Sequence, residues 1–136
     1  MDHLDKKIIE MLRKDSRISI TALSDAINLS RPSVTERITR LREEGIITAF
    51  TIKTSDQKLG LSVSFFIEIS DIKGSVENVL KILKNNSFVT EVYCVTGVTN
   101  YIARASMPDI EMMHSFLSEL RKHCNVVSSI ILESIL

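Results

Sequence analysis

The chain has 136 residues, 44% of them hydrophobic, and balances seventeen Lys and Arg against seventeen Asp and Glu for a formal net charge of zero. That length buries one core of ordinary size or two small ones. No run approaches the ~18 apolar residues of a membrane span, and the charged start MDHLDKKIIEML lacks a signal-peptide core, so a soluble cytoplasmic protein is expected.

The first predicted helix runs from Leu4 to Asp15, with Leu4, Ile8 and Leu12 on its packed side and Ile9 and Met11 alongside. Asp2 or Asp5 sits near its positive N-terminal dipole. A second helix follows, with Ile20, Leu23 and Ile27 as its apolar stripe and Ala22 and Ala26 small enough for close helix contact. Asn28 falls in the turn, where a left-handed backbone suits Asn.

The third helix starts after Ser30, a natural N-cap, and Pro32 fits its first turn, where a missing N–H costs nothing. At 100° per residue Val34, Ile38 and Leu41 share one packed face. Pro32, Ser33, Glu36, Thr39 and Arg40 take the opposite face, with Arg31 at the helix start, and Gly45 ends the helix. Two amphipathic segments about a tight polar turn are the layout of a helix-turn-helix, whose second helix enters the DNA major groove. Charge agrees: between Arg31 and Arg42 there are four arginines and one acid, Glu36. An ordinary solvated helix face is the competing reading. Arg37 flanks the apolar stripe, and two roles stay open for it: a DNA contact, or pairing with an acid of the first helix.

Ile47–Ile52 (ITAFTI) reads as a strand that leads through a polar connection to Gly60. Beyond it the period changes to two: Val63, Phe65, Ile67 and Ile69 alternate with Ser64, Phe66, Glu68 and Ser70. A helix (Val76, Val79, Leu80, Leu83), a strand (Val89–Thr96) and a second strand (Tyr101–Ala105) come next. After Pro108 follow a helix (Ile110, Met113, Phe116, Leu117, Leu120) and a last strand, Asn125–Glu133. This order is the ferredoxin-like βαββαβ arrangement, an antiparallel sheet with both helices on one face. The fold class is therefore α+β. The division expected is a helix-turn-helix domain over 1–46, a connecting strand and linker over 47–61, and the βαββαβ domain over 62–136.

The sheet's other face has no cover within the chain. Phe66, Tyr93 or Cys94 and the apolar last strand leave a patch there, and exposed apolar faces signal partners. Self-association covers it and supplies the two-fold symmetry that operators share. Cys94 and Cys124 form no CxxC, and His3, His114 and His123 do not cluster at ligand spacing. His123 and Cys124 point about 100° apart on a helix. Reduced thiols, no metal and no cofactor are expected.

The residues LDKKIIEMLRKDSRIS (Leu4–Ser19), LSRPSVTERITRLREEGII (Leu29–Ile47), KLG (Lys58–Gly60) and VTEVYCVTG (Val89–Gly97), in this order and spacing, resemble the Lrp/AsnC family of prokaryotic transcriptional regulators over essentially the whole length. The resemblance implies a winged-type helix-turn-helix, a connecting strand and a βαββαβ effector-and-assembly domain. It also implies double-stranded DNA as partner, homodimers that assemble further into octamers, and sensing of amino acids. The family's DNA contacts carry over to Ser30, Arg31, Ser33, Glu36 and Arg40, with Arg17 and Thr21 placed to touch the backbone. Its effector loop, usually Gly-Asp-x-Asp-Tyr, is here Gly97-Val98-Thr99-Asn100-Tyr101. The glycine and tyrosine remain, but both acids are gone, so a bound ammonium would lack its anion. A plain hairpin turn is the bland reading of this loop. Weak binding of ordinary amino acids is expected unless a carboxylate from another element, such as Glu68 or Glu133, restores the charge.

Two alternatives accompany this reading of a non-enzymatic, effector-modulated regulator. One is architectural DNA binding without an effector. The other follows from proteins resembling this family that decarboxylate haem precursors. That chemistry needs histidines or arginines gathered near a tetrapyrrole pocket, whereas the three histidines here are scattered.

Overall fold

The computed structural model describes residues 1–135 and divides into two compact units, one of Met1–Lys53 and one that begins at Thr54. No helix among the described residues is long and apolar enough to cross a membrane.

The first unit contains α1 (His3–Lys14), α2 (Ile20–Ile27) and α3 (Arg31–Glu43). A reciprocal capping box starts α1: the Asp2 carboxylate accepts from the Asp5 N–H, and the Asp5 carboxylate accepts from the Asp2 N–H, both at 2.9 Å. Asn28 ends α2 in the left-handed region at φ 53°, as its place in the turn requires. Ile8, Leu23, Ile27 and Val34 form the buried centre, with Leu4, Leu12, Ile20 and Ile38 packed around it. Ala22 and Ala26 face solvent instead of a helix neighbour, so the close approach expected of them does not occur.

The expected strand over Ile47–Ile52 does not form. The reason is physical. A strand needs a neighbour for its N–H and C=O groups, and all three regular elements of this unit are helices. Within the span expected as linker, Gln57–Leu59 makes one 3₁₀ turn that Gly60 closes at φ 82°.

The second unit is a four-stranded antiparallel sheet ordered β2-β3-β1-β4, built from β1 (Val63–Ser70), β2 (Val89–Cys94), β3 (Tyr101–Met107) and β4 (Asn125–Ile130). Helices α4 (Val76–Asn85) and α5 (Ile110–Arg121) complete the βαββαβ order. The alternation along β1 is obeyed residue by residue: Val63, Phe65, Ile67 and Ile69 are buried, and Phe66 and Glu68 are exposed. The buried set packs with Val79 and Leu83 of α4 and with Phe116, Leu117 and Leu120 of α5, which puts both helices on one face.

Two strands stop earlier than their apolar runs suggest. At the end of β2 the Val95 N–H donates to the Asn100 carbonyl at 3.0 Å and turns the chain. Past β4 one further bond, Ile131 N–H to the Ser64 carbonyl at 2.8 Å, reaches the first residues of β1.

The face away from the helices carries Phe66, Tyr93, Ile102 and Val127 among polar groups. Phe66, Tyr93 and Val127 are 43%, 55% and 53% exposed. Beside them Asp56 accepts from the Ser106 hydroxyl at 2.6 Å, and Arg104 lies 3.8 Å from Asp56 and 3.5 Å from Glu91.

Candidate nucleic-acid interface and effector loop

Everything expected at the DNA surface lies in the first unit and is positioned by two capped helices. The Ser30 hydroxyl accepts from the Ser33 N–H at 3.3 Å and lies 2.9 Å from the Ser33 hydroxyl. Ser30 and Ser33 therefore build the N-terminus of α3, with Pro32 in its first turn. Arg31, Glu36 and Thr39 stand exposed on the outer face, and Arg31 has no ion pair among the described residues. Thr21 is exposed in the first turn of α2, behind Ser19, whose hydroxyl accepts from the Ala22 N–H at 3.1 Å. Ser19 escaped the sequence reading, although a serine directly before an apolar helical run is the standard N-cap signal. Arg17 is exposed between α1 and α2, and its N–H donates to the Asp15 carboxylate at 2.9 Å.

Arg37 and Arg40 are arranged differently. Arg37 Nη1 donates to Asp2 Oδ2 and to Asp5 Oδ1, each at 2.7 Å. This is the pairing with the first helix that the sequence left open for Arg37. Arg40, expected with the outer-face residues, also turns to α1: its Nη2 donates to Asp5 Oδ1 at 2.9 Å and Oδ2 at 2.8 Å. Residues three apart on a helix share a side, so one acid reaches both guanidinium groups. The Asp5 side chain is only 1% exposed, and Arg40 is 47% exposed.

The electrostatics follow from this packing. The Asp5 N–H and then the Arg37 guanidinium hold the Asp2 carboxyl down at about 2. Burial pushes the Asp5 carboxyl upward, but the Asp2 N–H with Arg37 and Arg40 outweighs it, and the net direction is down. Hydrogen bonds from Arg37 to Asp2 and Asp5 in turn raise the Arg37 guanidinium. All four groups are charged at neutral pH, two anions against two cations.

The second candidate site is the β2–β3 loop. Gly97 takes φ 107°, open to glycine and strained for other residues. The Asn100 N–H donates to the Ile69 carbonyl at 2.8 Å and ties the loop to β1. A cleft of about 490 Å³ opens beside it, lined by Val98, Asn100 and Tyr101 together with Asp71 and Val76. Gly97 and Thr99 shape the turn without lining that cleft. The Thr99 hydroxyl lies 3.4 Å from Glu68 Oε2, so Glu68 does reach the loop as the sequence allowed; Glu133 is exposed beyond the end of β4. Asp71 was missed. It follows β1 in a left-handed conformation at φ 48°, and no local periodicity marks an acid there.

Cys124 is buried and its thiol donates to the Leu120 carbonyl at 3.2 Å, while Cys94 is exposed. Among the described residues no group of three or more His, Cys, Asp and Glu is arranged to hold a metal ion.

Comparison with known proteins matches residues 1–48 to the winged helix-turn-helix DNA-binding family and residues 64–136 to the Lrp/AsnC ligand binding domain. The HTH-type transcriptional regulator LrpC of Bacillus subtilis is 31% identical over 99% of this chain and 94% of its own length. The solved LrpC structure superposes with a TM-score of 0.93, covering 99% of this chain and 96% of that one. LrpA of the same organism is 31% identical over 97% of this chain and 98% of its own. A regulator from Neisseria meningitidis, solved in complex with L-Met, has the same fold at a TM-score of 0.90 and 24% identity, covering 100% of this chain and 92% of that chain.

Proposed function

The chain belongs to the Lrp/AsnC family of helix-turn-helix transcriptional regulators, and from that premise we propose how its residues carry out regulation. The start of α3 enters the major groove. Arg31 and Glu36 read base edges there, and Ser30 and Ser33 bring the helix terminus to the backbone. Arg17 and Thr21 meet flanking phosphates. The observation that carries this reading is Arg31, an exposed guanidinium at the N-terminus of a capped helix with no ion pair among the described residues. An unpaired arginine at that position is free to make a bidentate contact with guanine. The function is binding rather than catalysis, and its place is the cytoplasm.

A second copy of the chain covers the open sheet face, giving a dimer that assembles further, up to an octamer. Two features support this. Phe66, Tyr93 and Val127 present apolar surface, and Arg104 Nε is buried with no hydrogen-bond partner among the described residues. A buried donor without an acceptor is costly, and a facing subunit can supply one.

The cleft beside Val98, Asn100 and Tyr101 takes a small-molecule effector of amino-acid type. The carboxylates absent from the loop itself are replaced by Asp71 on the cleft wall. An ammonium thus has an anion in reach and the Asn100 amide is free for a carboxylate or polar group.

Three experiments test these assignments. Arg31→Ala should weaken operator binding by about 1–3 kcal/mol while leaving binding to random duplex less affected; anisotropy titrations on both duplexes measure this. Unchanged affinity for both duplexes would remove α3 from the groove. Phe66→Glu would place a charge in the contact between copies, so light scattering should report smaller species with an unaltered circular-dichroism spectrum. Wild-type assembly in that variant would move the contact to another surface. Calorimetric titration with a panel of amino acids should give saturable heat with at least one, lost in Asp71→Asn and in Asn100→Ala. A panel without heat would return the loop to a plain hairpin.

A further inference from the structure

We propose that Asp5 is a positioning residue that withholds Arg37 and Arg40 from the DNA phosphates and so sets the balance between specific and non-specific binding. The proposal rests on the DNA-binding role of α3.

The geometry is unusual for a surface ion pair. A carboxylate with 1% of its side chain exposed lies under two arginines of the helix that meets DNA. Burying an unpaired anion costs several kcal/mol, and good geometry with every lone pair satisfied offsets it. Asp5 meets that condition: it accepts from Arg37 Nη1, from Arg40 Nη2 through both oxygens, and from the Asp2 N–H. Asp2, at the N-cap of α1, adds a second acceptor for Arg37. Two carboxylates therefore neutralise two guanidinium groups.

The consequence concerns charge. Half of the four arginines between Arg31 and Arg42 are neutralised by α1 and its cap. Residues 1–60 carry eleven Lys and Arg against nine Asp and Glu, an excess of 11 − 9 = 2. Two arginines are as large as that whole excess. A guanidinium already held by a carboxylate releases little counterion from DNA, whereas a free one contributes about 0.9 to the slope of log K against log salt for each phosphate it neutralises. Non-specific affinity comes almost wholly from that contribution. Pairing lowers it and leaves the base-reading start of α3 untouched.

The clamp also aims the helix. Arg37 and Arg40 are one turn apart on α3 and converge on one carboxylate of α1, which fixes the rotation of α3 about its axis and hence the direction of Arg31 and Glu36. Loss of the carboxylate therefore pushes the two kinds of binding in opposite directions: the specific contacts lose their aim, while Arg40 keeps only Glu44 at 3.9 Å and Arg37 only Asp2, so both are more available to the phosphates. A purely structural acid would weaken both together.

The test uses the full chain and its Asp5→Asn, Asp5→Glu and Asp2→Asn variants, with binding to a random-sequence duplex followed as potassium chloride is raised, and binding to the operator in parallel. Asp5→Asn should bind random duplex more tightly than wild type, with a salt slope steeper by about 0.9 for each guanidinium that reaches a phosphate, and should lose discrimination for the operator. Asp2→Asn removes one acceptor of Arg37 from a half-exposed site and should steepen the slope by less. Asp5→Glu should keep the wild-type slope. Wild-type or shallower slopes in both asparagine variants overturn the proposal. Should circular dichroism show Asp5→Asn unfolded, Asp2→Asn decides alone: a steeper slope supports the clamp and an unchanged one overturns it. A wild-type protein that binds neither duplex would instead overturn the DNA-binding role, and this proposal with it.

Discussion

The acid at position 5 is the constraint on which the DNA-binding unit turns. Three short helices enclose a small apolar centre of Ile8, Leu23, Ile27 and Val34, and apolar packing is non-directional. It holds the helices together without fixing how each is rotated. Rotation matters for a helix that reads bases, because 100° separates one residue's direction from the next. The convergence of Arg37 and Arg40 on Asp5 supplies the missing directionality, and the capping box ties Asp5 to the first turn of α1. The same contacts consume positive charge, so orientation and electrostatics are set by one group.

In the second unit the constraint is the period-two alternation of β1. The central pair β1–β3 buries Phe65, Ile67, Ala103 and Ala105 against α4 and α5. Each residue between them must then face the other way. The result is a mixed face, with Phe66, Tyr93 and Val127 beside a network of Ser64, Ser106, Asp56, Glu91 and Arg104. Apolar groups favour association and polar groups favour one register of it, since an unmatched charge or donor is expensive when buried.

What could be read from the sequence and what could not divides along a physical line. The stripe of Val34, Ile38 and Leu41, the Ser30 cap, the left-handed Asn28 and the alternation through Ile69 are local properties of backbone geometry, and the structure contains all of them. The strand over Ile47–Ile52 has the right composition but needs a neighbour that this unit lacks. Arg40 sits on the helix face opposite Val34 by period alone, yet a long flexible side chain reaches Asp5, 35 residues earlier in the chain. Asp71 lines the cleft beside the β2–β3 loop through the path of the chain after β1. These three depend on tertiary placement, and period-based reading does not carry it.

The most direct measurement of the central claim is a backbone amide NMR titration of the full chain with its operator duplex, followed residue by residue. The perturbed amides should cluster at Ser30–Glu36 at the start and outer face of α3, at Arg17 before α2 and at Thr21 in its first turn, while the amides of Phe66 and Val127 on the open sheet face keep their positions. Perturbations centred on the sheet face, with the start of α3 unmoved, would contradict it.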